Sequence, residues 1–306
     1  MSNHIYHKLS QTALAQISAL HDVCVNKKKP GPSLLGLVLP KADVSEDDTF
    51  YALYYIEETT VSFLSCFCPD GMTAEISGFT HPDFRNRGFF SCLLKEAQKE
   101  AQSLFGDVIF CFQCLSSDPD TAAFCKARRL TFSRAECMME WRRESSAQKV
   151  PFASHSAVRL LPTSDLTLLT RLHGKAFGCP MELCTDYMSA ILEDPGTSSY
   201  RILAGKKTVG LLHLTFLRTD GQKEETVYLM GLGVLPKFRR SGFAKAALWT
   251  VFSRLPEHSR LTLQVSTSNV AAFRLYEKMG LQISSRLDYF SVTQTLPGTT
   301  QKTGIS

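Results

Sequence analysis

Residues 234–244 read V-L-P-K-F-R-R-S-G-F-A, and this stretch decides the fold of a chain of 306 residues. An apolar run, Val227 to Val234, leads into it, and an apolar-periodic segment, Ala244 to Leu255, follows, so the stretch is a strand-to-helix turn. Backbone N–H groups at the start of a helix lack intrahelical partners and carry the positive end of the helix dipole. The turn is therefore predicted to bind a pyrophosphate, with Gly242 allowing the backbone to approach closely.

The turn resembles a loop of a known enzyme family. Its pattern Arg239-x-x-Gly242-x-Ala244 is similar to the acetyl-coenzyme A (acetyl-CoA) loop of the GCN5-related N-acetyltransferase (GNAT) family, which has Arg or Gln, two residues, Gly, one residue, and Gly or Ala. Residues 269–281, N-V-A-A-F-R-L-Y-E-K-M-G-L, resemble the helix that follows in the same family. A glycine loop alone is a weak signal, but loop and helix in this order are specific.

The resemblance implies an N-acetyltransferase that uses acetyl-CoA as co-substrate. In this family the strand before the loop bulges and splays from its neighbour, and the pantetheine arm of the cofactor pairs with its backbone. The implied cofactor-binding residues are Leu232, Gly233, Val234, Arg239, Arg240, Ser241, Gly242, Phe243, Ala244 and Asn269. Gly233 suits a bulge or a close backbone approach, and equally a packing role. A backbone N–H in this strand is the candidate donor to the developing oxyanion.

Tyr276 corresponds to the general acid of the family, which protonates the departing thiolate. A phenol with a pKa near 10 is protonated at neutral pH and donates to a thiolate whose conjugate acid has a pKa of about 8.5. The alternative is a tyrosine that packs at an apolar helix seam, and Asn269 either caps this helix or bonds the cofactor. The general base stays unassigned: Tyr228 replaces the family's strand glutamate, Glu225 and His213 are candidates, and His213 is alternatively a histidine satisfied within a half-buried strand.

The chain contains the same unit twice. Residues 74–90 match residues 228–244 at a constant offset, with Arg85 and Gly88 at the positions of the loop arginine and glycine. The match continues at residues 120–124, which align with the start of the tyrosine-bearing helix. This tandem organisation resembles the double-domain acetyltransferases of the mycothiol synthase type. The expected fold class is α/β with a mixed sheet, as two tandem GNAT domains.

The first copy is expected to be degenerate. Phe90 stands where the loop calls for Gly or Ala, Asp120 replaces the asparagine, and Ala127 replaces the tyrosine. The side chain of Phe90 either blocks the pyrophosphate or turns into the core. The predicted segments are a degenerate GNAT-like domain (1–142), a linker (143–156), a catalytic GNAT domain (157–292) and a flexible tail (293–306).

Composition limits the partners. The formal net charge of +5 is slight and the basic residues are dispersed, so a nucleic-acid partner is not expected. No segment approaches the ~20 apolar residues of a membrane span. The ten cysteines, in a chain with no secretory signal at its start, are expected to be free thiols in a cytoplasmic protein without a metal site.

The acceptor is expected to be a small-molecule amine or a peptide N-terminus. The sequence does not define which amine, nor the oligomeric state. A non-catalytic acyl-CoA-binding sensor or scaffold is the alternative function.

Overall fold

The computed structural model describes residues 1–26, 48–68, 71–116, 118–143, 157–217 and 225–292. The predicted tail and all of the predicted linker after Arg143 lie outside these ranges. The helices are α1 (Gln11–Asn26), α2 (Phe89–Phe105), α3 (Pro119–Ala127), α4 (Leu166–Phe177), α5 (Met181–Glu193), α6 (Phe243–Arg254) and α7 (Val270–Lys278). The strands are β1 (Ser2–Tyr6), β2 (Thr49–Ile56), β3 (Thr59–Phe67), β4 (Thr73–Thr80), β5 (Ile109–Leu115), β6 (Leu130–Arg143), β7 (Arg159–Pro162), β8 (Thr197–Ala204), β9 (Lys207–Leu217), β10 (Glu225–Val234), β11 (Ser259–Ser266) and β12 (Gln282–Val292).

The chain forms two compact units. The first contains the residues up to Ala135 and those from Leu287, and the second runs from Glu136 to Arg286. Strands of the first unit are ordered β1-β2-β3-β4-β5-β12, and those of the second β6-β11-β10-β9-β8-β7. The strands of each unit are mixed in direction, because β4 is parallel to β5 and β10 is parallel to β11, whereas the other pairs within the units are antiparallel. The predicted α/β class with a repeated mixed sheet is confirmed.

Each unit is completed by the last strand of the other copy. Strand β6 ends the first copy in sequence, yet its residues 136–143 pair with β11 of the second unit. Strand β12 ends the second copy, yet its residues 287–291 pair with β5 of the first unit. The compact units thus depart from the predicted boundaries at 142 and 157, because sheet pairing and not chain order defines them. The linear division stays a prediction for the order of the copies.

Packing explains why β6 belongs to the second unit. Its alternating apolar residues Cys137, Met139 and Trp141 are buried in the same core as Phe252 of α6. The rings of Trp141 and Phe252 stack with centroids 4.4 Å apart. Burial of such side chains away from water is the main stabilising term of a fold.

Strand alternation separates two apolar layers in the second unit. Leu212 and Leu214 of β9 belong to the cluster that includes Tyr276 of α7. Leu211 belongs to a second cluster, with apolar residues of α4 and α5. Successive side chains of a strand point to opposite faces, so His213 shares the face of Leu211. The two faces of β9 and β10 therefore offer different chemical groups.

Candidate active site

Strand β10 parts from β11 halfway along its length. Its parallel pairing with β11 stops at Tyr228, although β10 continues to Val234. Its pairing with β9 shifts between Met230 and Gly233, where β10 holds one residue more than β9. This is the bulged and splayed strand that the resemblance implies. We call Leu229–Val234 the open edge of β10; its backbone groups on the β11 side are available to an extended ligand, as in strand addition.

The bulge uses a different glycine from the one singled out in the sequence. Gly231 has a φ of +57°, and a Cβ there would lie 2.7 Å from Cδ2 of His213. Gly233 is needed for close approach, since its Cβ would lie 2.9 Å from Ala176 Cβ and from two ring atoms of Phe177. Sequence reasoning missed Gly231, although it is the first of two glycines in the run M-G-L-G-V.

The loop after β10 is shaped by two residues in the left-handed region. Pro236–Phe238 form a short 3-10 turn, Arg240 has a φ of +64°, and Gly242 has a φ of +78°. Helix α6 starts directly after Gly242, and no side chain caps it. This is the strand-to-helix turn predicted from the sequence, and its binding of a pyrophosphate stays a prediction.

The side chain of the loop arginine, Arg239, forms hydrogen bonds with backbone carbonyls of the same chain. Nε of Arg239 donates to the carbonyl of Val234 at 3.2 Å, and Nη2 donates to the carbonyl of Ala176 at 2.7 Å. These bonds tie the loop to the end of β10 and to the last turn of α4. The side chain thereby positions the loop, and its expected direct contact with the cofactor stays a prediction.

Helix α7 carries the predicted acid. Asn269 caps it, since its Oδ1 accepts a hydrogen bond from the Ala272 N–H at 3.2 Å. Tyr276 is only 8% exposed, and its hydroxyl makes no hydrogen bond with any described residue. Burial raises the pKa of Tyr276 to about 12. The phenol therefore keeps its proton at all physiological pH values and can donate it.

The opposite face holds two histidines, of which His213 is buried and His173 is half-buried. His213 is fully buried, with Nδ1 2.8 Å from Oγ of Ser199 and with no partner for Nε2 among the described residues. His173 of α4 has a buried Nδ1 that likewise lacks a partner in the described part, and its ring centroid lies 4.5 Å from Phe177 and 5.2 Å from Tyr187. Burial, and then the charge of His173, lower the pKa of His213 to about 4.

Sequence reasoning named His213 as a candidate but missed its neighbours. The β8–β9 register places Ser199 opposite His213, which a hairpin prediction with a fixed turn would have allowed. His173 lies on a helix, and its approach to the strand depends on tertiary packing.

Tyr228, which stands where the family has a strand glutamate, belongs to a polar network. The hydroxyl of Tyr228 donates to Gln264 Oε1 at 3.4 Å, and Nε2 of Gln264 donates to Glu136 of β6. Burial, then the neighbouring Tyr187 and Glu136, raise the pKa of Tyr228 to about 12. The other candidate base, Glu225, begins β10 at the end remote from the bulge. The structure therefore does not bring Glu225 to the open edge.

The loop of the first copy has the same backbone as the loop of the second. Arg85 has a φ of −65° and a ψ of 158°, and Arg239 has a φ of −65° and a ψ of 159°. Asn86, like Arg240, is left-handed, with a φ of +61°, and Gly88 has a φ of +82° before an uncapped helix. Loop conformation alone thus does not distinguish the copies.

The strand edge of the first copy is closed by side chains. Phe90 turns inward: its ring lies so close to Gly78 that a Cβ there would be 2.7 Å from Cε2, and it meets Phe124 edge-on at 5.5 Å between centroids. Oγ of Ser77 donates to Gln113 Oε1 at 2.5 Å, which bridges β4 and β5 beyond their paired residues. Strand β4 also keeps a continuous register with β3 and has no bulge.

Acidic residues of the first copy are ion-paired. Asp120 pairs with the loop arginine, Arg85. Glu75, for which a solvated strand position is the simplest expectation, instead pairs with Arg134 and accepts a hydrogen bond from Gln113. Neither carboxylate is presented to an incoming amine.

A split parallel pair of strands, a glycine loop at a helix start and a buried tyrosine on the next helix together define an acyltransferase fold. Residues 168–281 match the sequence profile of the Acetyltransferase (GNAT) family. This segment is therefore a GNAT acyltransferase domain, and the whole chain shares its fold with solved GNAT structures, one of them a tandem protein.

Solved structures share this fold over nearly the whole chain. A GCN5-related N-acetyltransferase from Sphaerobacter thermophilus has 16% identity and a TM-score of 0.70, with 95% of each chain covered. A tandem GNAT protein from the clavulanic acid biosynthesis pathway, solved without AcCoA, has 17% identity and a TM-score of 0.65, with 95% of this chain and 98% of that chain covered. A GNAT-family acetyltransferase from Colwellia psychrerythraea has 15% identity and a TM-score of 0.59 over 95% and 99%.

A sequence search among curated proteins finds no match. Among the helices that the structure describes, none is long and apolar enough to cross a membrane.

Proposed function

We propose that this chain transfers the acetyl group of acetyl-CoA to a primary amine by direct attack, and that the second copy holds the cofactor. The observation that carries the proposal is the contrast between the copies. In the second, the open edge of β10 leads to the uncapped start of α6. In the first, Phe90 and the Ser77–Gln113 bond occupy the corresponding edge. A pantetheine arm needs that edge as a row of backbone partners.

Different residues of the second copy would bind different parts of the cofactor. The backbone of Leu232, Gly233 and Val234 would pair with the pantetheine arm, and the N–H groups after Gly242 would hold the pyrophosphate. The left-handed φ of Gly231 turns the local backbone at the bulge, where an N–H would stabilise the developing oxyanion. Acetyl-CoA would supply the thioester carbonyl.

Tyr276 would protonate the departing sulfur. Its raised pKa, about 12, keeps the phenol protonated until needed. The pocket for the acceptor is proposed on the α4–α5 face, where a small-molecule amine or a peptide N-terminus would reach the bulge.

Paired substitutions in the two loops test which copy binds the cofactor. Gly242→Trp and Gly88→Trp place the same side chain at equivalent positions, with φ of +78° and +82°, so both carry similar backbone strain. Calorimetric titration with acetyl-CoA is expected to show binding by the wild type and by Gly88→Trp, and at least a tenfold weaker affinity for Gly242→Trp. Thermal melts of both variants check that they remain folded.

Each outcome has a meaning. No binding by the wild type overturns the proposal. Loss of binding in Gly88→Trp alone moves the cofactor to the first copy. Binding without release of free thiol, across polyamines, aminoglycosides, amino acids and peptides, favours the acyl-CoA sensor as the function.

A further inference from the structure

The second unit contains two histidines with an unsatisfied ring nitrogen. Nε2 of His213 and Nδ1 of His173 are both buried and have no partner in the described part of the chain. A buried polar atom left without a partner costs about 1–3 kcal/mol, so two of them in one place are normally satisfied by a water or a ligand. The charge of His173 contributes to the lowered pKa of His213, which places the two nitrogens in one region of the second unit.

The unpartnered nitrogen of His213 lies beside the bulge of β10. A Cβ built on Gly231 would lie 3.2 Å from Nε2 and 2.7 Å from Cδ2, so this ring edge abuts the bulge backbone. The opposite ring nitrogen, Nδ1, is held by Ser199 Oγ at 2.8 Å. In the tautomer that donates from Nδ1 to Ser199, Nε2 carries the lone pair and can accept a proton.

The acid and the histidine lie on different faces of the sheet. Tyr276 packs with Leu212 and Leu214, whereas His213 lies between these two residues in sequence and therefore points to the other face. The open edge of β10 lies at the split between the strands. An amine that approaches from the α4–α5 face and a sulfur that leaves towards α7 would thus meet different proton-transfer groups.

We infer that His213 is the proton acceptor for the acetyl transfer, with Ser199 fixing its tautomer and His173 completing the binding site for the amino group or for one relaying water. This inference rests on the proposed function. The amine nitrogen forms a bond to the acetyl carbon, and the carbon–sulfur bond breaks. One proton moves from nitrogen to Nε2 of His213, directly or through the water, and the phenolic proton of Tyr276 moves to the sulfur. Exchange with solvent then restores both side chains.

The test separates chemistry from folding. His213→Gln and His213→Ala are compared with His21→Gln, which alters a histidine that is also buried, 4% exposed, but lies in the first unit. With an amine that the wild type acetylates, the kcat of both His213 variants, measured by thiol release, is expected to be about 10²–10⁴-fold lower than that of the wild type. Acetyl-CoA affinity, measured by calorimetry, and the rate of His21→Gln are expected to stay within about twofold of the wild type, which corresponds to about 0.4 kcal/mol.

A chemical rescue completes the experiment. Imidazole added to His213→Ala is expected to raise the kcat of this variant at least tenfold, because the deleted side chain leaves room for a small base. Ser199→Ala is expected to lower kcat with little change in KM for acetyl-CoA. Rates of both His213 variants equal to that of His21→Gln overturn the inference, and so does a loss of rate that imidazole leaves unchanged. If the wild type binds no acetyl-CoA, it is the proposed function that fails.

Discussion

Phe90 and Ala244 occupy equivalent places in two loops with nearly identical backbones, yet they have opposite consequences. The ring of Phe90 fills the space beside β4 against Gly78 and Phe124. A methyl group at Ala244 leaves that space beside β10. Phe90 thus acts together with the Ser77–Gln113 hydrogen bond and the unbulged β4 to close the edge of the first copy, even though the glycine that precedes each helix has the same conformation.

The buried imidazole of His213 predicts a specific sensitivity to acid. Its pKa is about 4 in the folded chain, below the ordinary value of 6.5, so the unfolded chain binds the proton more readily. The stabilisation is complete above pH 6.5 and is lost as the pH falls towards 4. Between pH 7 and pH 5 this residue alone is expected to lower the free energy of unfolding by about 2 kcal/mol. Urea unfolding at the two pH values measures the difference.

An exposed histidine of the same unit provides the control. His258→Gln is expected to keep the full difference between pH 7 and pH 5, because His258 lies at the surface. His213→Gln is expected to remove most of it, whatever its effect at pH 7 alone. Equal acid sensitivity of wild type and His213→Gln would contradict the burial argument.

At the scale of an element, β10 is the strand on which the site depends. Its first residues pair with β9 on one side and with β11 on the other. At the bulge the backbone of β10 turns and leaves β11, which stays paired with β6. A regular strand at this place would continue the parallel ladder, as a central strand normally does. The extra residue thus converts a structural strand into a binding edge.

Two glycines with the same backbone angle test the bulge. Gly231 has a φ of +57° and Gly205, in the β8–β9 turn, has a φ of +58°. Alanine at either position costs about 1–2 kcal/mol of left-handed strain. A Cβ at Gly205 meets no atom within 4 Å, whereas a Cβ at Gly231 meets the ring of His213. Gly231→Ala is expected to lower kcat/KM at least tenfold, and Gly205→Ala to leave it within about twofold, a difference of more than 0.9 kcal/mol in transition-state stabilisation.

Urea midpoints of both variants, together with thiol-release kinetics, measure these effects. Comparable kcat/KM values for the two variants would show that the bulge is not part of the site.

Local and non-local features differed in how far the sequence could predict them. The loop and the helix start at Gly242 were predictable, because turn chemistry and capping depend on neighbours in sequence. The repeat and the mixed sheet followed from matching patterns. The bulge at Gly231 was not distinguishable from one at Gly233, since the choice depends on which glycine contacts α4. His173 joined the site only through packing of a helix on a strand, which no spacing rule predicts.

At the scale of the whole molecule, the boundary that the repeat suggests cuts through the second unit, which begins at Glu136. Residues 136–143 of β6 cover the edge of β11, and their apolar side chains fill the core of the second unit. Glu136, which the first copy supplies in sequence, also joins the network of Gln264 and Tyr228.

Fragments test this dependence. A fragment of residues 144–306 lacks β6, whereas a fragment of residues 130–306 keeps it and the same linker. The shorter fragment is expected to lose cooperative thermal unfolding or to aggregate, because the hydrogen-bonding edge of β11 and the core around Phe252 are uncovered. Circular dichroism melts and size-exclusion chromatography compare the two.

The longer fragment is expected to melt cooperatively. Equal melting temperatures for the two fragments would mean that the second copy folds without the strand from the first.

The placement of β12 has a consequence for synthesis. The first unit needs residues 287–291 beside β5, so its sheet stays one strand short until more than 150 further residues after Ala135 have been translated. At about 5–20 residues per second, that interval is on the order of 10–30 s. Throughout it, the edge of β5 lacks its final partner strand, and an unpaired strand edge is a template for pairing with another chain.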